Sequence, residues 1–171
     1  MTHRSRPEAP RATPSEALHI RDFADGDLEA VADLWRICGL VVPYNDPAAD
    51  IAFCRAAPNA GLFVAQDDDT VVGTVMAGHD GHRGWIYYLA VAPARRGEGL
   101  GRRLVAHAER RLAELGVRKV NLMIREHNAG VRAFYERLGY EQSMRIVMTR
   151  WLDDVPTQIR PTGTDGSRGR R

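Results

Sequence analysis

Apolar positions change their spacing several times along the chain, and each change predicts an element. In LHIRDF (18–23) they alternate with polar residues, the period of a short strand. In GDLEAVADLWRICG, Leu28, Val31, Leu34, Trp35 and Cys38 recur at three- and four-residue steps, which predicts a helix. NDPAADIAFCRAA (45–57) opens with Asp46 as N-cap and Pro47 at the first helical position. GLFVAQ and TVVGTVMAG flank the acidic turn Asp67-Asp68-Asp69 and predict a hairpin, and HDGHRG (79–84) then turns the chain into a third strand, WIYYLAV (85–91).

Further on, Leu100, Leu104, Ala108, Leu112 and Leu115 form one apolar stripe ending at Gly116, the pattern of a long amphipathic helix. VRKVNLMI (117–124) predicts a strand, NAGVRAFYERLG (128–139) a helix, and YEQSMRIVMTRWL (140–152) a last extended stretch. The order β-α-α-β-β-β-α-β-α-β mixes hairpins with crossovers. It predicts an α+β fold on a mixed sheet, antiparallel at first, with at least one parallel pair across the long helix.

Residues 1–16 and 155–171 are rich in Pro, Arg, Ser, Thr and Gly and carry too little apolar surface to offset ordering entropy, so we expect disordered tails around one domain, 17–154. The tails also supply the positive charge. Of a formal net +2, the first contributes +1 and the second +3, leaving −2 for the body. A nucleic-acid-binding domain carries its basic excess on the folded body, so we expect no nucleic-acid partner. Cys38 and Cys54 lack zinc-site spacing and are expected to be buried free thiols. With no leader-like or membrane-spanning apolar run, a cytoplasmic protein is expected, as a monomer or homodimer.

The candidate chemistry lies in VAPARRGEGLGRR (91–103), three glycines and four arginines behind an apolar strand. A strand entering a glycine loop and then a helix leaves unpaired backbone N–H groups at the positive end of the helix dipole, a site for an anion. Gly97, Gly99 and Gly101 allow close approach, and Arg96 and Arg102 add charge-assisted hydrogen bonds. No Lys-Ser or Lys-Thr follows the glycines, which excludes a triphosphate-binding P-loop. Neither register of the glycines satisfies the G-x-G-x-x-G dinucleotide fingerprint.

Arg96-Gly97-Glu98-Gly99-Leu100-Gly101 resembles the R/Q-x-x-G-x-G/A motif of the GCN5-related N-acetyltransferases, and the LAV-A-P run before it is similar to the strand that precedes the motif there. Asn128, Tyr135, Gly139 and Tyr140 fit a second family pattern, N-x-x-A-x-x-x-Y-x-x-x-G-F, with Val131 replacing Ala and Tyr140 replacing Phe. PYNDP (43–47) and DGHRG (80–84) further resemble the bacterial YpeA-type subgroup.

The resemblance covers about residues 18–150. It implies the acyl-CoA N-acyltransferase fold, a splayed mixed sheet flanked by about four helices, with acetyl-CoA as co-substrate, an amine acceptor and no metal. It implies that Arg96, Gly97, Gly99, Gly101 and Arg102 bind the CoA pyrophosphate. Leu89 and Val91 would pair through their backbones with the pantetheine arm, the Val91 N–H would polarise the thioester carbonyl, and Asn128 would touch the arm or cap its helix. Tyr135 would protonate the departing thiolate.

The general base breaks the pattern. Tyr87 and Tyr88 stand where relatives place strand carboxylates, and Met123 stands where peptide-N-terminus acetyltransferases have Glu. His79, Asp80, His82, Glu126 and Asp46 are substitutes, each with a simpler role as turn, surface or cap residue. Tyr44, Tyr87, Tyr88 and Trp35 either wall an acceptor pocket or pack beside the sheet. An acyl-CoA-binding module without catalysis, or transfer to a peptide amine, remains an alternative to small-molecule acetylation.

Overall fold

The computed structural model describes residues 18–152, and both predicted tails lie wholly outside them. The strands are β1 (His19–Asp22), β2 (Ala60–Asp67), β3 (Thr70–His79), β4 (Gly84–Val91) and β5 (Val120–Asn121). The helices are α1 (Leu28–Ile37), α2 (Pro47–Ala56), α3 (Leu100–Glu114) and α4 (Ala129–Arg137). The sheet has the order β1-β2-β3-β4-β5, antiparallel throughout except for the parallel β4/β5 pair that α3 connects. This is the mixed topology the sequence order predicts.

The central strands are buried on both faces, so neighbouring residues serve different cores. Phe63 and Ala65 of β2 join Leu100, Leu104, Ala108 and Leu112 of α3 and Tyr135 of α4 on one face. Leu62 and Val64 join Val31, Leu34 and Trp35 of α1 and Ile51 and Cys54 of α2 on the other. Helix α2 starts as its sequence predicts: Asp46 accepts from the Ala48 N–H at 3.0 Å and Pro47 occupies the first turn.

Two strand predictions need correction. Of 117–124, only Val120–Asn121 pairs with β4, opposite Gly84–Trp85. Leu122 and Ile124 leave the ladder and pack instead against the α3/α4 core. The stretch 140–152 forms no strand; Met144, Ile146 and Met148 are exposed. Alternation marks a segment that suits a sheet, but a ladder needs a neighbour with free N–H and C=O groups in register, which local pattern does not specify.

Candidate active site

The early departure of β5 leaves 86–91 of β4 without a strand partner on that side among the described residues. On the other side β4 is held by β3, and Ala92 continues the contact by donating to the Val72 carbonyl at 2.9 Å. Alternation along an antiparallel ladder then turns the N–H and C=O of Val91, and of Leu89 two residues before it, toward the open edge. The side chains of Leu89 and Val91 pack on the α3/α4 core.

The strand carries a bulge at its middle. Thr74 pairs with Ala90 and Met76 with Tyr87, so Val75 faces both Tyr88 and Leu89. Tyr88 sits at φ 48°, a left-handed conformation that costs a non-glycine residue about 1–2 kcal/mol. Named contacts hold it there. The Trp35 ring stacks on the Tyr88 ring with centroids 3.8 Å apart, the Trp35 indole N–H donates to Thr74 Oγ1 at 2.9 Å, and the Thr74 hydroxyl donates to the Tyr88 carbonyl at 2.9 Å. Trp35 and Thr74 are fully buried. Trp35 is therefore core and does not wall a pocket.

The bulge places Tyr88 beside Tyr87 on the α1/α2 face, where pleat alternation alone would have sent it to the other. Its hydroxyl donates to Asp50 Oδ2 at 2.5 Å and accepts from Asn45 Nδ2 at 3.1 Å. Burial first, and the Asp50 carboxylate second, push its pKa up to about 12. Tyr87 is 41% exposed, stacked on Trp85, while Tyr44 meets Trp151 edge to face.

Past β4, the loop reaches α3 through two glycines in the left-handed region, Gly97 at φ 85° and Gly99, the N-cap, at φ 80°. No side chain caps this helix, and the first N–H of the turn with a backbone partner is that of Arg103, on Gly99 O at 3.2 Å. The preceding N–H groups face outward at the positive end of the dipole. The Arg102 guanidinium lies over the loop, 3.8 Å from where a Gly99 Cβ would stand.

Gly101 has a different role from its two neighbours. A Cβ there would meet the Phe134 ring at 3.3 Å, so it sets how closely α4 approaches α3. Arg96 is turned away from the loop: its Nε donates to Val91 O at 3.3 Å, a carbonyl that also accepts from Cys38 Sγ at 3.5 Å. Cys38 is thus only partly buried, whereas Cys54 is buried; both are free thiols.

Asn128 caps α4, its Oδ1 accepting from the Val131 N–H at 3.3 Å. Tyr135, 6% exposed, lies in the same core as Leu89 and Val91, between Phe134 and Tyr140. Its hydroxyl makes no hydrogen bond among the described residues, and burial, then Glu109, raises its pKa to about 12.

The substitute bases divide clearly. Asp80 is engaged by the β3–β4 turn, accepting from the His82 and Arg83 N–H groups at 2.8 and 2.6 Å and from the Trp85 indole at 3.0 Å, which holds it well below the usual carboxylate range. His79 accepts from the Gly81 N–H in that turn, Asp46 is the α2 cap, and Glu126 is exposed. Sequence reasoning missed Arg95, which ties the loop to the β2–β3 turn by pairing with Asp67 and with Glu98 at 2.8 Å. It also missed Asp50, whose one signal was its position a helical turn after Asp46.

A cavity of about 100 Å³ between α3 and β1–β3 contains none of these residues. Among the described residues no group of three or more His, Cys, Asp or Glu side chains is placed to hold a metal ion. No helix among them is long and apolar enough to cross a membrane.

Among the described residues, an open strand edge thus leads directly into a helix N-terminus that no side chain caps. The acetyltransferase (GNAT) family model matches residues 28–140, and the chain belongs to that family. It is 41% identical over 135 residues to an acetyltransferase of Yersinia pestis (strain Pestoides F), covering 79% of this chain and 96% of that one. It is 44% identical over 125 residues to acetyltransferase ECA0875 of Pectobacterium atrosepticum, covering 72% and 88%.

Solved structures share the fold. Aminoglycoside N-acetyltransferase AAC(6')-Iy in complex with CoA superposes with a TM-score of 0.68 at 20% identity, covering 85% of this chain and all of that one. Glucosamine-6-phosphate N-acetyltransferase from Arabidopsis thaliana gives 0.63 at 20%, covering 81% and all of that chain. The protein is an acetyl-transferring enzyme of GNAT type.

Proposed function

We propose that the enzyme moves the acetyl group of acetyl-CoA to a primary amine of a small molecule by direct attack within a ternary complex. The observation that carries this reading is the continuity of the open β4 edge at Leu89 and Val91 with the unpaired N–H groups of the Gly97–Gly99 loop. The loop N–H groups, with Arg102 above them, hold the CoA pyrophosphate. Arg96 leaves the Val91 carbonyl and joins them, freeing that carbonyl for the pantetheine arm, which adds to β4 as an extra strand.

The outward N–H groups of Leu89 and Val91 bind the arm and polarise the thioester carbonyl, favouring the charge that develops as the amine attacks. Tyr135, protonated throughout the physiological range, donates to the leaving sulfur. Asn128 fixes the first turn of the helix that carries it. Met123 in place of a carboxylate favours a small-molecule amine over a peptide terminus.

Thiol release from acetyl-CoA, measured over a panel of small amines, amino acids and peptides, tests the reading. Acceptor-dependent release is expected with small amines. Release with peptides alone, or with no acceptor although CoA binds, overturns it.

A further inference from the structure

We propose that Asp50 is the terminal proton acceptor of the acetyl transfer, reached from the attacking amine through the hydroxyl of Tyr88. This rests on the amine-acceptor reading above and supplies the carboxylate that β4 lacks. The pantetheine arm enters at the loop and passes Val91 and then Leu89, so its reactive end arrives at the bulge. There the side chain of Tyr88 is aimed by contacts from elements distant in sequence: the Trp35 stack, the Thr74 hydrogen bond to its carbonyl, and the two hydrogen bonds at its hydroxyl.

A half-buried phenol bonded to a carboxylate from another element is more than packing requires. Asp46 caps its own helix and Asp80 is taken up by the β3–β4 turn and the Trp85 indole, whereas Asp50 directs an oxygen at the Tyr88 hydroxyl. Asn45 donates to the Tyr88 oxygen, so the phenol's proton is the one it gives to Asp50, and an incoming N–H finds an acceptor in that oxygen. The titratable groups facing Tyr88 are Asp50 from α2 and Tyr44 from the α1–α2 connection; Asn45 and Trp35 are uncharged. A phenol whose pKa lies near 12 keeps its proton at rest, so it passes a proton on and does not store one.

The amine arrives neutral, having released its ammonium proton to water. Its nitrogen attacks the thioester carbon; the C–N bond forms and the C–S bond breaks. The N–H proton moves to Tyr88 Oη as the phenolic proton moves to Asp50 Oδ2, and Tyr135 gives its proton to the sulfur. Water then carries the proton from Asp50 back to Tyr135. The products are an amide and a free thiol, with the enzyme in its starting state.

The test uses the full chain and an amine that the wild type acetylates. Asp50→Asn preserves the acceptor for the Tyr88 hydroxyl but not the basic site, and is expected to lower kcat about 10²-fold while leaving KM for acetyl-CoA unchanged. Tyr88→Phe keeps the Trp35 stack and is expected to lose a similar amount. Because the two act as one relay, the double variant should be no slower than the slower single. A kcat for Asp50→Asn within about threefold of wild type overturns the proposal, as do losses that multiply in the double variant. Should Asp50→Asn fail to fold by circular dichroism, an unimpaired kcat for Tyr88→Phe overturns it equally. A wild type that acetylates no amine removes the amine reading together with the relay; an active wild type with unimpaired variants removes the relay alone.

Discussion

The two faces of β4 are built by different means. On the α3/α4 face, the loop is largely backbone: two left-handed glycines and a row of helix N–H groups, with Tyr135 behind them in a continuous core. On the α1/α2 face, the bulge is held by side chains drawn from α1, α2, β3 and the α1–α2 connection. A backbone cradle follows from a contiguous stretch of sequence and tolerates changes around it. A side-chain corner exists only when every contributing element is in place, and any one of them can disable it.

The largest test of this contrast is Tyr135→Phe. Removing a proton donor from an otherwise intact core should lower kcat about 10²–10⁴-fold with CoA affinity retained, read by thiol release and by calorimetric titration of CoA. If Tyr135 is the acid, its pKa near 12 also predicts that kcat in the wild type shows no alkaline fall from this group up to about pH 10. The protonated form is the active one and is lost only as pH rises through the raised value.

Next in size, Trp35→Phe removes the donor to Thr74 in the fully buried corner. It should cost about 1–3 kcal/mol in urea denaturation and lower kcat while leaving CoA affinity near wild type. Gly99→Ala forces a Cβ into the left-handed cap and should cost about 1–2 kcal/mol, read the same way, and weaken CoA binding as well. Arg96→Ala should have the smallest effect. On the proposed reading its guanidinium exchanges the Val91 carbonyl for phosphate, so its loss should weaken CoA binding by about 1 kcal/mol, roughly fivefold.

The same contrast explains what the sequence reveals. Gly97, Gly99 and the α3 stripe are local signals, and the caps at Asp46 and Asn128 form where their neighbours predict. The bulge is not local. Nothing around Tyr88 marks it for positive φ; the conformation comes from Thr74 and Trp35, 14 and 53 positions away in the chain. Asp50 was legible as a helix residue, but not as a partner for a strand tyrosine, because that depends on how α2 packs on the sheet. The strand expected at 140–152 failed for the related reason that its pairing partner is not encoded in its own alternation.

The position of Arg96 bears on self-association. An unpaired strand edge is a template for a second chain, and natural proteins protect such edges with charge, bulges and short length. Here the run of β4 left unpaired among the described residues is short, interrupted by the Tyr88 bulge and covered at Val91 by a guanidinium and a thiol. Arg96, held on the Val91 carbonyl at the end of that run, therefore acts as a gatekeeper against edge-to-edge aggregation.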